Sequence, residues 1–213
     1  MVGHGVRGTL SPMSPRKAAA LRDSEDSLRE HLVATAARLI SLRGTAELTV
    51  RAIAREAGVA DGVLYNHFAD KEELLANALV AHVRSVERGL GELPEPGSGT
   101  VEHGLRAQLV YGLALHKEIL PAFAGLLARP AVLERFGALT ADGGNWRDRL
   151  AGYLRAEKEL GRISGDLEAV TAMLVGVCHE TVLSGLFPHG PGVVTTPGID
   201  AVVATVLEGI AAR

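Results

Sequence analysis

Hydrophobic and polar positions in residues 48–75 follow the period of short α-helices. Thr49 offers a side-chain hydroxyl as the N-cap of a first helix, and Gly58 can take the positive φ that ends it. One side of this helix is apolar, at Val50, Ile53, Ala54 and Ala57. A second helix is predicted at roughly 60–67, and at barely two turns it is too short to be stable alone in water. The pattern therefore predicts two short helices joined by a tight turn.

The second helix separates inward-facing from outward-facing residues. Leu64 and Phe68 are predicted to point into the protein, because residues four apart lie on the same side of a helix. The residues left facing outward are Asp61, Gly62, Val63, Tyr65 and Asn66. A short helix held at a fixed angle, with small residues at its start, is suited to insertion into the DNA major groove.

A longer helix is predicted before this segment. Ser27 and Glu30 form a capping box at its start, and Gly44 ends it. Its inward-facing stripe consists of Leu28, Leu32, Ala36, Leu39 and Ile40. Residues 1–23 lack periodicity and are rich in Gly, Ser, Pro and basic residues, so we expect a disordered basic tail. Such a tail either lies along the DNA minor groove or has no role.

Asp70 and Glu73 form a second capping box, which opens a helix that runs to Gly89 or Leu90. We place a domain boundary here, with a helix-turn-helix domain at 24–69 and a second helical domain at 70–213. Because the helix belongs to both domains, it can act as a lever between them. A loop rich in Pro and Gly follows at 91–99.

The remainder of the chain predicts helices throughout, so the expected fold class is all-α. The predicted segments are a helix from 100 that ends before Pro121, short pieces at 123–127 and 130–136, and helices at 146–160, 166–187 and 198–212. The run 169–178 is apolar nearly all round, which indicates that both of its sides are covered. A single small domain offers too little surface to cover the two terminal helices.

Composition narrows the function classes. The chain is 47% apolar but only 4% aromatic, so small aliphatic side chains must form most of the core. Its net charge is −3, and phosphate binding would therefore come from a few placed groups and helix N-termini rather than from a broad basic surface. Cys178 is the single cysteine, which excludes an internal disulfide. With neither a secretory signal nor an apolar run of about 20 residues, we expect a cytoplasmic protein.

The helix-turn-helix segment resembles that of the tetracycline-repressor family of transcriptional regulators. The matching residues are Thr49, Ile53-Ala54, Ala57-Gly58-Val59, Gly62, Leu64-Tyr65, His67-Phe68, Lys71-Glu72 and Leu74-Leu75. This resemblance covers about a quarter of the chain closely and the remainder only in length and helical layout. It implies a ligand-responsive regulator, most simply a repressor that binds a palindromic operator as a homodimer and is released by a small molecule.

DNA contacts are expected from the helix-turn-helix and from the start of the following helix, at Thr49, Arg51, Asp61, Gly62, Val63, Tyr65, Asn66, His67 and Lys71. The resemblance implies that Lys71 binds a backbone phosphate, which would offset its unfavourable place in the first turn of a helix. Tyr65 either contacts a phosphate through its hydroxyl or packs against the first helix.

Three positions depart from the family pattern. Ala60 stands where Ser or Thr usually caps the recognition helix, Asp61 stands where a basic or neutral residue is frequent, and Val63 replaces a hydroxyl residue. Asp61 therefore either moves the helix start by one residue and caps it, or accepts a hydrogen bond from cytosine N4 in the major groove. Val63 is then placed to touch a thymine methyl group.

The resemblance also implies an effector cavity in the second domain and a dimer interface at the last two helices. Candidate effector contacts are Gln108, His116, Trp146, Tyr153 and His179, each of which is alternatively a buried polar group satisfied by a neighbour. Candidate interface residues, buried between subunits or within the helix pair, are Val170, Leu174, Val177, Val203, Val206 and Ile210.

Other functions have weaker support in the sequence. No two histidines have the spacing of a recognisable zinc site, and adjacent Cys178 and His179 point in different directions on a helix, so no metal, cofactor or catalytic site is predicted. The alternative to a DNA-binding regulator is a helical protein that binds a small molecule or a metal without binding DNA. Within the regulator class, an activator and a regulator without an effector stay open.

Overall fold

The computed structural model describes residues 15–45, 48–142, 144–186 and 198–210, and their side chains except those of residues 15–24, 186, 209 and 210. Every regular element in these ranges is an α-helix, which confirms the predicted fold class. The helices are α1 (Pro15–Arg43), α2 (Val50–Ala57), α3 (Asp61–His67), α4 (Lys71–Gly89), α5 (Val101–Ala124), α6 (Pro130–Leu139), α7 (Trp146–Glu159), α8 (Leu167–Leu186) and α9 (Ile199–Ile210).

The first helix begins earlier than predicted. It starts at Pro15 rather than at Ser27, so residues 15–23 of the expected disordered tail are helical. A proline at the first helical position lacks only an N–H that has no intrahelical partner anyway. The following stretch contains three consecutive alanines and a leucine, which are among the best helix formers. Residues 1–14 of the predicted tail lie outside the described residues.

One cluster of buried side chains joins α1, α2, α3 and the first half of α4. Leu64 and Phe68 are both buried in it, as predicted for the inward side of α3. The cluster also contains Ala122, Leu126 and Val132, which come from the end of α5, from the turn after it and from α6. Helix α4 therefore packs on α6 as well as on α1, and the predicted boundary at residue 70 stays a prediction.

Helix α5 continues through Pro121 to Ala124, so the predicted end before this proline is wrong. A proline inside a helix removes one hydrogen bond, here the one to the carbonyl of Lys117. Lys117 is exposed, and water can reach that part of the helix. The last turn is also held from outside, because the Thr45 hydroxyl donates to the Ala122 carbonyl at 2.8 Å.

A second cluster of buried side chains joins α5, α7, α8 and α9. Aromatic rings of α7 lie directly on two glycines of α5: Tyr153 on Gly104 and Trp146 on Gly112. A Cβ atom at either glycine would overlap the ring that covers it. The two helices are therefore in direct contact along this line, which a larger residue at either glycine would not allow.

Helix α8 is apolar on more sides than the chain itself covers. Val170, Leu174 and Cys178 are buried against α5 and α7, and burial raises the pKa of the Cys178 thiol to about 12. The opposite side leaves Met173 53% exposed. By length and composition the stretch Leu167–Gly185, with a mean hydropathy of 1.3, is apolar enough to cross a membrane. A helix of a folded domain has the same composition when one apolar side packs on its own chain and a second apolar side packs on another chain.

We expect Gly112→Ala to lower the free energy of unfolding by about 1–3 kcal/mol, because the new methyl group must displace the buried indole of Trp146. Gly152→Ala is the matched control, since Gly152 lies inside α7 with nothing within 4 Å of an added Cβ. That substitution should instead raise the free energy of unfolding by about 0.5–1 kcal/mol. Urea unfolding measures both, and equal effects of the two substitutions would contradict the close contact.

Candidate functional site

The first helix of the helix-turn-helix is fixed at both ends by the groups that the sequence predicts. The Thr49 hydroxyl accepts a hydrogen bond from the Ala52 N–H at 3.1 Å and caps α2. Gly58 ends the helix with a φ of 73°. The N–H of Val59 then donates to the Ala54 carbonyl at 3.0 Å, which turns the chain tightly into α3. Helix α3 is thus held at a defined angle to α2.

The predicted DNA-binding residues lie together on the surface formed by α2, α3 and the first turn of α4. Seven of the nine side chains or backbone positions are on the open face of the helix-turn-helix itself: Thr49, Arg51, Asp61, Gly62, Val63, Tyr65 and Asn66. His67 is half-buried at the end of α3, and Lys71 is half-buried at the first position of α4. We call this set the recognition surface.

Tyr65 is 61% exposed, which favours a phosphate contact over packing against α1. The contact of its hydroxyl with a phosphate stays a prediction. Lys71 is in a different environment. Burial lowers the pKa of Lys71, and the neighbouring charge of Arg129 lowers it further. A cation in the first turn of a helix and beside another cation is unfavourable until an anion is bound.

Asp61 does not cap α3. The N-cap is Ala60, which makes no side-chain capping hydrogen bond, and Asp61 occupies the first helical position. The prediction that Asp61 moves the helix start by one residue and caps it is therefore wrong. The physical reason is that Ala60 already has the extended φ and ψ of a cap residue, and the Asp61 carboxylate instead lies 3.3 Å from Nε of Arg51.

The first turn of α4 is held by two carboxylates. Asp70 is the predicted N-cap and accepts from the Glu73 N–H at 2.8 Å, while Glu73 reaches back one residue further than in a capping box, to the Ala69 N–H at 2.7 Å. Each carboxylate also binds an arginine that the sequence analysis did not identify. Arg135 of α6 donates to both oxygens of Asp70, with Nη2 to Oδ2 at 2.7 Å, and this ion pair lowers the pKa of Asp70.

The second arginine connects α4 to the recognition helix. Arg29 of α1 donates from Nη2 to Glu73 Oε1 at 2.9 Å and from Nη1 to the carbonyl of His67. Its guanidinium also lies over the ring of Phe68, 4.3 Å from the ring centroid. A continuous set of charged hydrogen bonds thus runs from α6 through the first turn of α4 to the end of α3. We call these contacts the α6–α3 link.

Four of the five candidate effector residues lie next to one another around Trp146, which belongs to the second cluster. The Trp146 indole donates to Gln108 Oε1 at 3.3 Å, and the ring of His116 contacts the rings of Trp146 and His179 with centroids 5.2 and 4.8 Å apart. The Nδ1 atom of His116 donates to the Gly112 carbonyl at 2.6 Å, so its Nε2 atom carries a lone pair. Burial lowers the pKa of both histidines.

Tyr153 is separate from this group. Its hydroxyl lies against Gly104, and burial together with the neighbouring Glu157 raises its pKa. Glu157 is fully buried, accepts from the Gly97 N–H at 3.0 Å and pairs with Arg162 at 3.1 Å. Tyr153 therefore belongs to the contact between α7 and α5, and Glu157 to the contact between α7 and the loop before α5.

The candidate interface residues differ in whether they reach a groove between α8 and α9. Val170 and Val203 are buried away from it, whereas Leu174, Val177 and Val206 line it, although Leu174 and Val206 are themselves largely buried. The groove has a volume of about 540 Å³, and its other lining residues include Met173, Gly176, Ala201 and Thr205. The side chain of Ile210 lies outside the described side chains.

The segment that contains the helix-turn-helix matches known proteins. Residues 32–78 fit the family of bacterial regulatory proteins described as the tetR family. The transcriptional regulator EthR of Mycolicibacterium smegmatis is 25% identical over 84% of this chain and 84% of its own length. The transcriptional repressor KstR2 of Mycobacterium tuberculosis is 44% identical over a shorter stretch, 25% of this chain and 27% of that protein. A regulator from Saccharomonospora viridis, solved in complex with choline, has the same fold, with a TM-score of 0.61 and 18% identity over 88% of this chain and all of that chain.

We expect Lys71→Ala to weaken binding to specific and nonspecific DNA alike, because a lysine that binds a phosphate reads no base. The salt dependence of the binding constant should fall by about one unit in its logarithmic slope. Fluorescence anisotropy at several salt concentrations measures both quantities. Lys117→Ala, which removes an exposed lysine of α5, should leave both unchanged. Unaltered affinity and slope in Lys71→Ala would show that this lysine binds no phosphate.

Proposed function

The chain belongs to the tetR family of bacterial transcriptional regulators, and on this premise we propose that it is a homodimeric repressor that binds a palindromic operator and releases it when a small molecule binds. The recognition surface is the observation that carries the DNA-binding part of this proposal. A regulator of this kind acts in the cytoplasm, where its operator is located.

The recognition surface is suited to the major groove in shape as well as in chemistry. Helix α3 begins with Asp61 and Gly62, both exposed, and an added Cβ at Gly62 would meet nothing within 4 Å. Tyr65 and Asn66 extend from the same short helix. Phosphate contacts from Thr49, Tyr65 and Lys71 would fix the orientation of the protein on the duplex, since such contacts position a protein without reading sequence.

A second copy of the chain is the proposed occupant of the groove between α8 and α9. The groove is lined mainly by small and apolar residues, and Gly176 leaves open space where a helix can approach closely. Burying an exposed apolar side chain such as Met173 stabilises an interface through the hydrophobic effect. Two copies would present two α3 helices, and two half-sites are what a palindrome offers.

The proposed effector site is the cluster of Gln108, His116, Trp146 and His179. It combines an apolar surround with a few convergent polar groups, which is the usual make-up of a small-molecule site. In the conformation described, Trp146 lies on Gly112 and fills the space between α5 and α7. An effector would therefore have to move Trp146 and separate the two helices, and it would favour a conformer in which they are apart.

The α6–α3 link provides a route by which such a change reaches the DNA. Helix α6 follows directly from the end of α5, and Arg135 attaches α6 to the capping carboxylate of α4. If α5 moves, α6 moves with it, and the ion pair of Arg135 with Asp70 either shifts the first turn of α4 or breaks. A shift of this turn also displaces Arg29 and the end of α3, which are bound to it. The spacing of the two α3 helices in the dimer would change, and the half-sites would no longer be matched.

The experiment that tests the dimer and the operator together is a variant in the groove. Wild-type protein should sediment as a dimer at micromolar concentration and should shift a fragment of DNA from upstream of its own gene. Met173→Glu should give monomers, because it places a charge in an apolar interface, and should lose at least about a hundredfold in affinity for that fragment. Leu139→Glu, at another exposed apolar residue, is the control and should do neither.

Two outcomes would overturn parts of the proposal separately. A wild-type protein that sediments as a monomer while binding the upstream fragment would exclude the dimer but not the DNA-binding function. A dimer that binds neither this fragment nor any sequence from a random pool would exclude the operator and would favour a helical small-molecule-binding protein.

The α6–α3 link generates a separate prediction. Arg135→Ala should lower operator affinity by about 0.5–2 kcal/mol although Arg135 is outside the recognition surface, because the orientation of α4 depends on its contact with Asp70. Arg147→Ala removes an arginine that pairs with Glu168 between α7 and α8, and it should leave operator affinity unchanged. Equal affinities for both variants, measured by fluorescence anisotropy, would show that the link does not orient α3.

A further inference from the structure

One ion pair crosses the helix-turn-helix on the recognition surface. Arg51, in the first turn of α2, and Asp61, at the first position of α3, approach with Nε and Oδ2 3.3 Å apart. Both side chains are open to solvent, with exposed fractions of 89% and 54%. An ion pair this exposed contributes only about 0–1 kcal/mol to stability, so stability does not account for it. Because the pair lies within the recognition surface, a role in DNA recognition accounts for it better.

The geometry of this pair leaves a specific part of Arg51 unused. Asp61 approaches the Nε side of the guanidinium, and among the described residues the two terminal nitrogens of Arg51 have no hydrogen-bond partner. The carboxylate in turn is not engaged as a helix cap, because Ala60 occupies that position. The pair therefore engages Arg51 through Nε and leaves its two terminal NH₂ groups on a side chain that is open to solvent.

Two terminal N–H groups of an arginine match the O6 and N7 acceptors of guanine in the major groove. The planar guanidinium makes this contact only when its orientation is right, so a carboxylate that fixes the plane increases the fraction of time it is competent. Asp61 would also be repelled by DNA phosphates if it were alone. Paired with Arg51 it forms a unit with no net charge, which removes most of that repulsion.

We propose that Asp61 is a positioning residue for Arg51, and that Arg51 reads a guanine in each half-site of the operator. This inference rests on the proposed function, because it assumes that the recognition surface enters the major groove. It replaces direct reading of a cytosine by Asp61, in which the acid itself contacts the base. The two hypotheses put different side chains on the base edge, and variants distinguish them.

The test is selection of operators from a random DNA pool with the wild-type protein, Arg51→Ala, Arg51→Lys, Asp61→Asn and the double variant. Wild-type protein should enrich a guanine at one position of each half-site. Arg51→Ala and Arg51→Lys should lose that preference by about 5- to 150-fold, the range expected of one bidentate contact. Asp61→Asn should weaken the preference at the same position by a smaller factor.

The double variant separates positioning from an independent contact. If Asp61 acts through Arg51, the double variant should have the same base preference as Arg51→Ala alone, because nothing is left for Asp61 to orient. Glu56→Gln is the matched control, since Glu56 is an acid of α2 that, like Asp61, pairs with an arginine, here Arg38 at 2.7 Å. It should keep the wild-type preference, and all variants should keep the wild-type melting temperature because the altered side chains are exposed.

Each contrary result points to a different error. Loss of preference in Asp61→Asn at a position that Arg51→Ala leaves intact would show that Asp61 reads the base itself. An even loss of affinity for all sequences in Arg51→Ala would make Arg51 a phosphate contact. An unchanged preference in Asp61→Asn would exclude positioning. A wild-type protein that enriches no sequence would overturn the proposed function and this inference together, whereas enrichment without the expected guanine overturns only this inference.

Discussion

The backbone N–H groups at the start of α4 determine how the DNA-binding helices attach to the rest of the chain. A helix leaves its first N–H groups without intrahelical partners, and side chains or water must satisfy them. Here Asp70 accepts from the N–H of Glu73, and Glu73 accepts from the N–H of Ala69 just before the helix. As carboxylates, Asp70 and Glu73 are also the acceptors for Arg135 and Arg29. The two carboxylates at the start of α4 are thus the place where α1, α3, α4 and α6 are connected. In the proposed mechanism, a movement of α6 reaches α3 through these two carboxylates.

The parts of this arrangement that depend on neighbouring residues could be predicted from the sequence. Thr49, Gly58 and the capping pair of Asp70 and Glu73 act within a few residues of their own position, so their patterns are visible in a single stretch of chain. Arg135 and Arg29 could not be identified, because their partners lie 65 and 44 residues away. Asp61 illustrates the same limit, since only the fold reveals that Arg51 is beside it.

The terminal helices show a different limit of hydrophobic patterns. Periodicity identifies which residues of α8 and α9 are apolar, but burial against the same chain and burial against another copy require the same residue types. Val170 and Val203 are buried within the chain, and Met173 and Gly176 lie on the outer side. Pro121 adds a case in which tertiary contact overrode a local signal, because the last turn of α5 is held by Thr45 from a distant part of the sequence.

Trp146 is the single tryptophan of the chain, and it occupies the contact between α5 and α7. Its indole is buried, its N–H is bound to Gln108, and the ring of His116 lies against it. Light absorbed at the red edge of the protein spectrum therefore excites one residue at one place. The emission maximum and lifetime of that residue report whether water or a neighbouring ring has come closer to it. The fold thus contains an optical probe at the point where an effector would have to enter, without any label being attached.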